Sequence, residues 1–118
     1  MSTPPDDPQT AAGYAVPHWI EACQLDDLTV DQPHGLRLSG RSICVVLTPG
    51  EVFAVHDACT HGAIPLSEGE VDHCAIECWL HGSRFDLRTG EALNPPATEA
   101  VRTFPVQVIG GTVYIEID

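Results

Sequence analysis

The stretch Ser42-Ile-Cys-Val-Val-Leu-Thr48, continued through Pro49-Gly50 into Glu51-Val-Phe-Ala-Val-His56, sets the reading of this chain. β-Branched side chains lose rotamer freedom in a helix but pack well on a pleated surface. With a Pro-Gly turn between them, the two arms predict a β-hairpin. A second hairpin is expected at the C-terminus, where Val101–Ile109 and Thr112–Ile117 flank Gly110-Gly111. In its last arm Val113, Ile115 and Ile117 point to one face, and Thr112, Tyr114 and Glu116 to the other. Working outward, Ala75–Glu77 and Arg84–Leu87 are short strands, the latter closed by Thr89-Gly90. Tyr14–Ala22 reads as a first strand that Pro17 confines to an edge, and Leu25–Asp31 as a loop or one helical turn. No segment keeps a helical period over three turns. The class is mainly β, a sandwich or small barrel of short strands.

Length and composition narrow the possibilities. The 118 residues suffice for one domain with one modest core. A hydrophobic fraction of 43% argues against wholesale disorder. Residues 1–13, rich in Pro, Asp, Gln and Thr, read as a flexible tail, which leaves 14–118 as the folded domain. No apolar run is long enough to cross a bilayer, and Met1-Ser-Thr-Pro-Pro-Asp-Asp lacks the basic start and apolar stretch of a secretory signal. The expected location is therefore the cytoplasm. Seventeen acidic residues against five arginines, with no lysine, give a net charge of −12. Such a surface repels nucleic acid and anionic lipid, and it favours a basic protein partner steered by electrostatics.

Between 57 and 97 the chain is rich in Cys, His, Gly and Pro, as expected of a loop-rich subdomain carried on a β scaffold. Within it, Cys59-Thr60-His61 is followed after 16 residues by Cys78-Trp79-Leu80-His81. Each half offers one thiolate and one imidazole, and together they make four ligands for a metal centre. Gly62 and Gly82 follow the histidines and permit tight turns and close backbone approach to a bulky inorganic group. Two centres could use this set: one tetrahedral zinc ion, or a [2Fe–2S] cluster with two ligands at each iron. Zinc sites of this composition usually pair like with like, so the mixed Cys-His order counts against zinc. Cys23, Cys44 and Cys74 stand outside the pattern. Cys44, in Ile43-Cys-Val-Val-Leu47, is expected in the core.

C-x-H and C-x-x-H, here Cys59-Thr-His61-Gly-Ala-Ile-Pro-Leu and Cys78-Trp-Leu-His81-Gly-Ser-Arg-Phe-Asp, resemble the Rieske signature. The similarity runs on into Arg88-Thr89-Gly90 and Asn94-Pro95-Pro96-Ala97 and covers most of the chain from about residue 14 to 118. The resemblance implies three small antiparallel sheets, with a cluster-binding subdomain on a basal β domain. It implies one [2Fe–2S] cluster, with Cys59 and Cys78 on the inner iron and His61 and His81 on the outer one. High-potential relatives carry an extra cysteine in each loop, joined as a disulfide. The matching positions here are Ile64 and Leu80. Those relatives also set a tyrosine hydroxyl against a cysteine sulfur, where this chain has Phe85. The serine whose hydroxyl lies near a bridging sulfide is kept as Ser83. Hydrogen bonds to cluster sulfurs favour the more negative reduced state, so losing one lowers the potential.

What remains resembles the soluble ferredoxin component of multicomponent aromatic-ring dioxygenases. The role implied is a one-electron carrier between a flavin-dependent reductase and a terminal non-haem iron oxygenase, without catalysis of its own. A Rieske protein associated with iron–sulfur cluster assembly and the small subunit of a nitrite reductase are the alternatives. Pro95 and Pro96 are expected to form a stiff loop covering the cluster. Trp79, between two ligands, is either a docking anchor for the partner or packs down onto the subdomain.

Overall fold

The computed structural model describes residues 19–62 and 64–117, so the expected tail at 1–13 and the start of the first strand, with Pro17, lie outside the described residues. Ten strands follow in chain order: β1 (Trp19–Gln24), β2 (His34–Leu38), β3 (Arg41–Thr48), β4 (Glu51–His56), β5 (Glu70–Asp72), β6 (Ala75–Glu77), β7 (Arg84–Asp86), β8 (Thr103–Phe104), β9 (Val106–Ile109) and β10 (Thr112–Glu116). They form three small antiparallel sheets, ordered β1-β10-β9, β2-β3-β4-β8 and β5-β6-β7. Among the described residues there are two 3-10 turns: Leu25–Asp27, which fills the acidic stretch after β1, and Leu66–Glu68, before β5. Among the described residues no helix is long and apolar enough to cross a membrane.

The β3–β4 hairpin turns at Pro49-Gly50, with Thr48 opposite Glu51 and Ile43 opposite His56. Ile43 and Val45 face a basal core with Val113, Ile115 and Phe104. Cys44 and Val46 face a second core with Leu66, Ile76, Phe85 and Leu87. The four-stranded sheet is thus covered on both faces, which is why β3 carries an unbroken apolar run instead of alternating. Since an imidazole-bearing loop leaves the end of β4, this central sheet also fixes where the site begins.

The segment Val101–Ile109 is not one strand. Pro105 has no N–H to give to a ladder, and the chain changes sheets there. β8 pairs with β4 (Ala54 opposite Phe104), whereas β9 pairs with β10. The Pro105 carbonyl accepts the Glu116 N–H at 3.0 Å and tacks the crossover to the basal sheet. In β10, Val113 and Ile115 enter the basal core as the alternation predicts; Tyr114, on the opposite face, is buried as well. β7 ends at Asp86, one residue short of the predicted span, and Leu87 continues into the second core, its N–H on the Cys74 carbonyl at 3.0 Å.

Candidate metal centre

Two loops carry the four predicted ligands, and both are closed the same way. After β4, the Cys59 N–H donates to the Ile64 carbonyl at 2.8 Å and the Cys59 carbonyl accepts the Gly62 N–H at 3.1 Å. After β6, the Cys78 N–H donates to the Ser83 carbonyl at 2.7 Å and the Cys78 carbonyl accepts the Gly82 N–H at 2.9 Å. Each loop therefore begins on its cysteine and folds back over it. Gly82 takes the turn at a φ of +78°, where a side chain would be strained. Gly62 lies outside the positive-φ region, so the two glycines meet different demands.

The loops bring the donors together as two pairs. The thiols of Cys59 and Cys78 lie within hydrogen-bonding reach of each other, and both cysteines are buried. The rings of His61 and His81 are exposed and meet edge to face, their centroids 4.9 Å apart. A dinuclear cluster takes two ligands at each iron, and a single tetrahedral ion takes four at one point. One pair of sulfurs inside and one pair of imidazoles outside suits the former. Among the described residues, no three His, Cys, Asp or Glu converge as one ion would need.

Burial pushes the Cys59 thiol above its ordinary range. The N–H groups of His61 and Gly62 pull the other way, and the neighbouring Cys78 adds to the rise. A thiol held in this way keeps its proton until a metal displaces it, so loading at Cys59 is coupled to proton release. All five cysteines are free thiols. Ile64 packs partly buried against the second core, and Leu80 is exposed.

The surroundings hold the loops in place. The Asp57 carboxylate accepts the Ser67 N–H and the Ser67 hydroxyl, each at 2.7 Å, which pins the approach to Cys59. The Thr60 hydroxyl donates to the Glu99 carbonyl at 2.7 Å. Ser83 is fully buried, and its side-chain oxygen accepts the Ala97 N–H at 3.0 Å. Phe85 is fully buried in the second core. Pro95 and Pro96 are exposed on the loop leading to Ala97. Trp79 is 54% exposed, and its indole N–H donates to a Glu68 carboxylate oxygen of the same subdomain at 3.2 Å, so the ring is open to solvent while its edge is tied to the subdomain.

Asn94 is the polar residue at the site whose role sequence reasoning missed. Its Oδ1 accepts the Arg84 N–H at 2.8 Å, and its Nδ2 donates to the Gly82 carbonyl at 2.9 Å. It stands in the quoted Asn94–Ala97 segment, but partners ten and twelve residues away leave no local pattern.

Comparison with known proteins agrees with this geometry. Residues 18–105 match the model of the Rieske [2Fe–2S] domain. A ferredoxin component of naphthalene 1,2-dioxygenase/salicylate 5-hydroxylase systems from Ralstonia sp. is 37% identical over 101 residues, covering 86% of this chain and 97% of that protein. Among solved structures, a ferredoxin of Sphingomonas yanoikuyae B1 superposes with a TM-score of 0.81 at 31% identity, over 86% of this chain and all of that one. A chain in a complex of reduced oxygenase and oxidised ferredoxin of carbazole 1,9a-dioxygenase matches with a TM-score of 0.79 at 32% identity, over 83% of this chain and 92% of that one. The buried thiol pair, the exposed imidazole pair and these matches place the chain in the Rieske [2Fe–2S] family, as a ferredoxin that carries one [2Fe–2S] cluster.

Proposed function

We propose that this ferredoxin carries single electrons from a flavin-dependent reductase to a terminal non-haem iron oxygenase, with Cys59, His61, Cys78 and His81 as the cluster ligands. When bound there, the cluster supplies a one-electron couple and no open coordination position, so the chain is a carrier and not a catalyst. The observation that carries this reading is the placement of the donors: the sulfurs are buried and the two imidazoles are exposed side by side. Electron exchange through the imidazole edges then needs only a brief contact with the partner's surface.

The features beside the imidazoles suit such contact. Trp79 and Leu80 are exposed on the loop that ends in His81, and Pro95 and Pro96 are exposed on the loop that Asn94 ties to Gly82 and Arg84. We read the first as a docking edge and the second as the cover over the cluster. With a net charge of −12, the molecule attracts a basic partner face, and its docking is weak, fast and salt-sensitive. The three cysteines outside the ligand set, Cys23, Cys44 and Cys74, are free thiols, which fits a reducing compartment and supports the cytoplasm as its place of work.

The test is reduction of the purified protein followed by EPR, with iron and acid-labile sulfide analysis. A red-brown protein with the low average g value of a His-ligated cluster supports the ligand set. Loss of that signal in His61→Ala and His81→Ala, with an unchanged signal in His73→Ala, assigns the imidazoles. A colourless zinc protein would sink the ligand reading. Electron flow from a reductase to an oxygenase that proceeds equally well without this ferredoxin would sink the carrier role.

A further inference from the structure

The proline loop holds Ser83 in an unusually complete way. The Gly82 carbonyl belongs to the peptide plane that enters Ser83, and the Arg84 N–H belongs to the plane that leaves it. Asn94 binds both, donating to the first at 2.9 Å and accepting from the second at 2.8 Å. One carboxamide therefore fixes the orientation of both planes, which is to say the φ and ψ of Ser83. Ala97, three residues further along the same loop, gives its N–H to the Ser83 hydroxyl oxygen and so fixes the side-chain rotamer. The hydroxyl is fully buried, and an oxygen that accepts from Ala97 still has its own proton to donate. A carboxamide carries its donor and its acceptor on separate atoms, so one short side chain meets two separate backbone partners. Aspartate would accept twice, and an apolar residue would do neither.

We propose that Asn94 is the positioning residue that aims the Ser83 hydroxyl at the cluster, and that it raises the reduction potential through Ser83 alone. The inference rests on the ligand set given above and on a hydrogen bond from Ser83 to a cluster sulfur. Such a bond favours the reduced state because that state places more negative charge on the sulfurs. A clamp on both flanking peptides removes the freedom that would let the hydroxyl turn away, so the bond is made without reorganisation when the electron arrives.

The experiment is a double-mutant cycle on the loaded protein: Asn94→Ala, Ser83→Ala and the two together, each measured by protein-film voltammetry with EPR as the check on cluster type. Each single variant is expected to shift the potential downward, Asn94→Ala by no more than Ser83→Ala. In the Ser83→Ala background, Asn94→Ala is expected to move the potential no further. An Asn94→Ala potential equal to wild type, or a shift of undiminished size in the Ser83→Ala background, overturns the proposal. If Asn94→Ala does not load a cluster, Asn94→Gln is read in the same cycle; it keeps the carboxamide but is one methylene too long to meet both partners. The ligand assignment is judged separately by the EPR signature. A signal without histidine ligation refutes that assignment and takes the proposal with it, whereas a normal signal with an unmoved potential refutes the proposal alone.

Discussion

Gly69→Ala tests how closely the cluster-bearing sheet is assembled. Gly69 has an extended backbone, with φ −92° and ψ −162°, so alanine meets no conformational strain there. The obstacle is space. A Cβ at this position would sit far inside 3.0 Å of the Glu77 carbonyl oxygen, and at 3.0 Å and 3.2 Å from the Glu77 carbonyl carbon and the Leu66 oxygen. These are backbone atoms and cannot rotate aside. Glu77 pairs with Glu70 at the end of the β5–β6 ladder, and the next residue is Cys78. Relief must therefore part the ladder where the second ligand loop begins. Overpacking of this kind costs about 3 kcal/mol. Gly40→Ala is the matched control, with a φ of +79° and no atom within 4 Å of the added Cβ. Its cost is backbone strain alone, about 1 kcal/mol. Guanidinium unfolding should be followed by visible absorbance for the cluster and by far-UV CD for the fold. The expected result is a larger drop in midpoint for Gly69→Ala than for Gly40→Ala, with the visible signal lost ahead of the CD signal in Gly69→Ala only. Equal midpoints and coincident transitions in both variants would refute the steric argument.

Three further outcomes follow from the same structure. Cys44 is fully buried, and burial, then the Asp57 carboxylate, push its thiol up to about 12 from an ordinary value of 9.0. A folded-state value above the unfolded one stabilises the fold fully below pH 9 and is lost as the pH rises toward 12. At pH 10.5 the loss is about 2 kcal/mol; unfolding at pH 8 and pH 10.5 should show wild type losing that much more than Cys44→Ala, and equal losses would count against it. The reduction potential is expected in the lower half of the Rieske range of roughly −150 to +300 mV, because Phe85 offers no hydroxyl and no cysteine pair stands at 64 and 80; voltammetry giving more than about +150 mV would contradict this. Trp79→Ala should slow electron transfer to the oxygenase about tenfold, the equivalent of about 1.4 kcal/mol of docking energy, and leave the cluster spectrum unchanged. Unchanged transfer kinetics would end the docking role.

Features that span only a few residues are legible in the chain alone. Each ligand pair belongs to one loop, Cys59 with His61 and Cys78 with His81, so the spacing that suits the cluster is written along the chain. The β3–β4 and β9–β10 hairpins are local in the same sense, since β-branched arms and Pro-Gly or Gly-Gly turns need no distant partner to declare themselves. β2 and β5 carried no comparable signal, because a short strand with one half-buried face takes its ladder from a neighbour already in place. The remaining features come from packing. It split the expected strand at Pro105, because β8 and β9 find their partners in different sheets. It covered both faces of β3, so that Ile43 and Cys44 serve different cores. It stacked the Glu77 carbonyl on Gly69 and brought Asn94 to the two peptides flanking Ser83. These contacts join chain segments by approach through space, and a side chain's hydrogen-bond partners are settled only once packing has fixed which backbone groups stand opposite it.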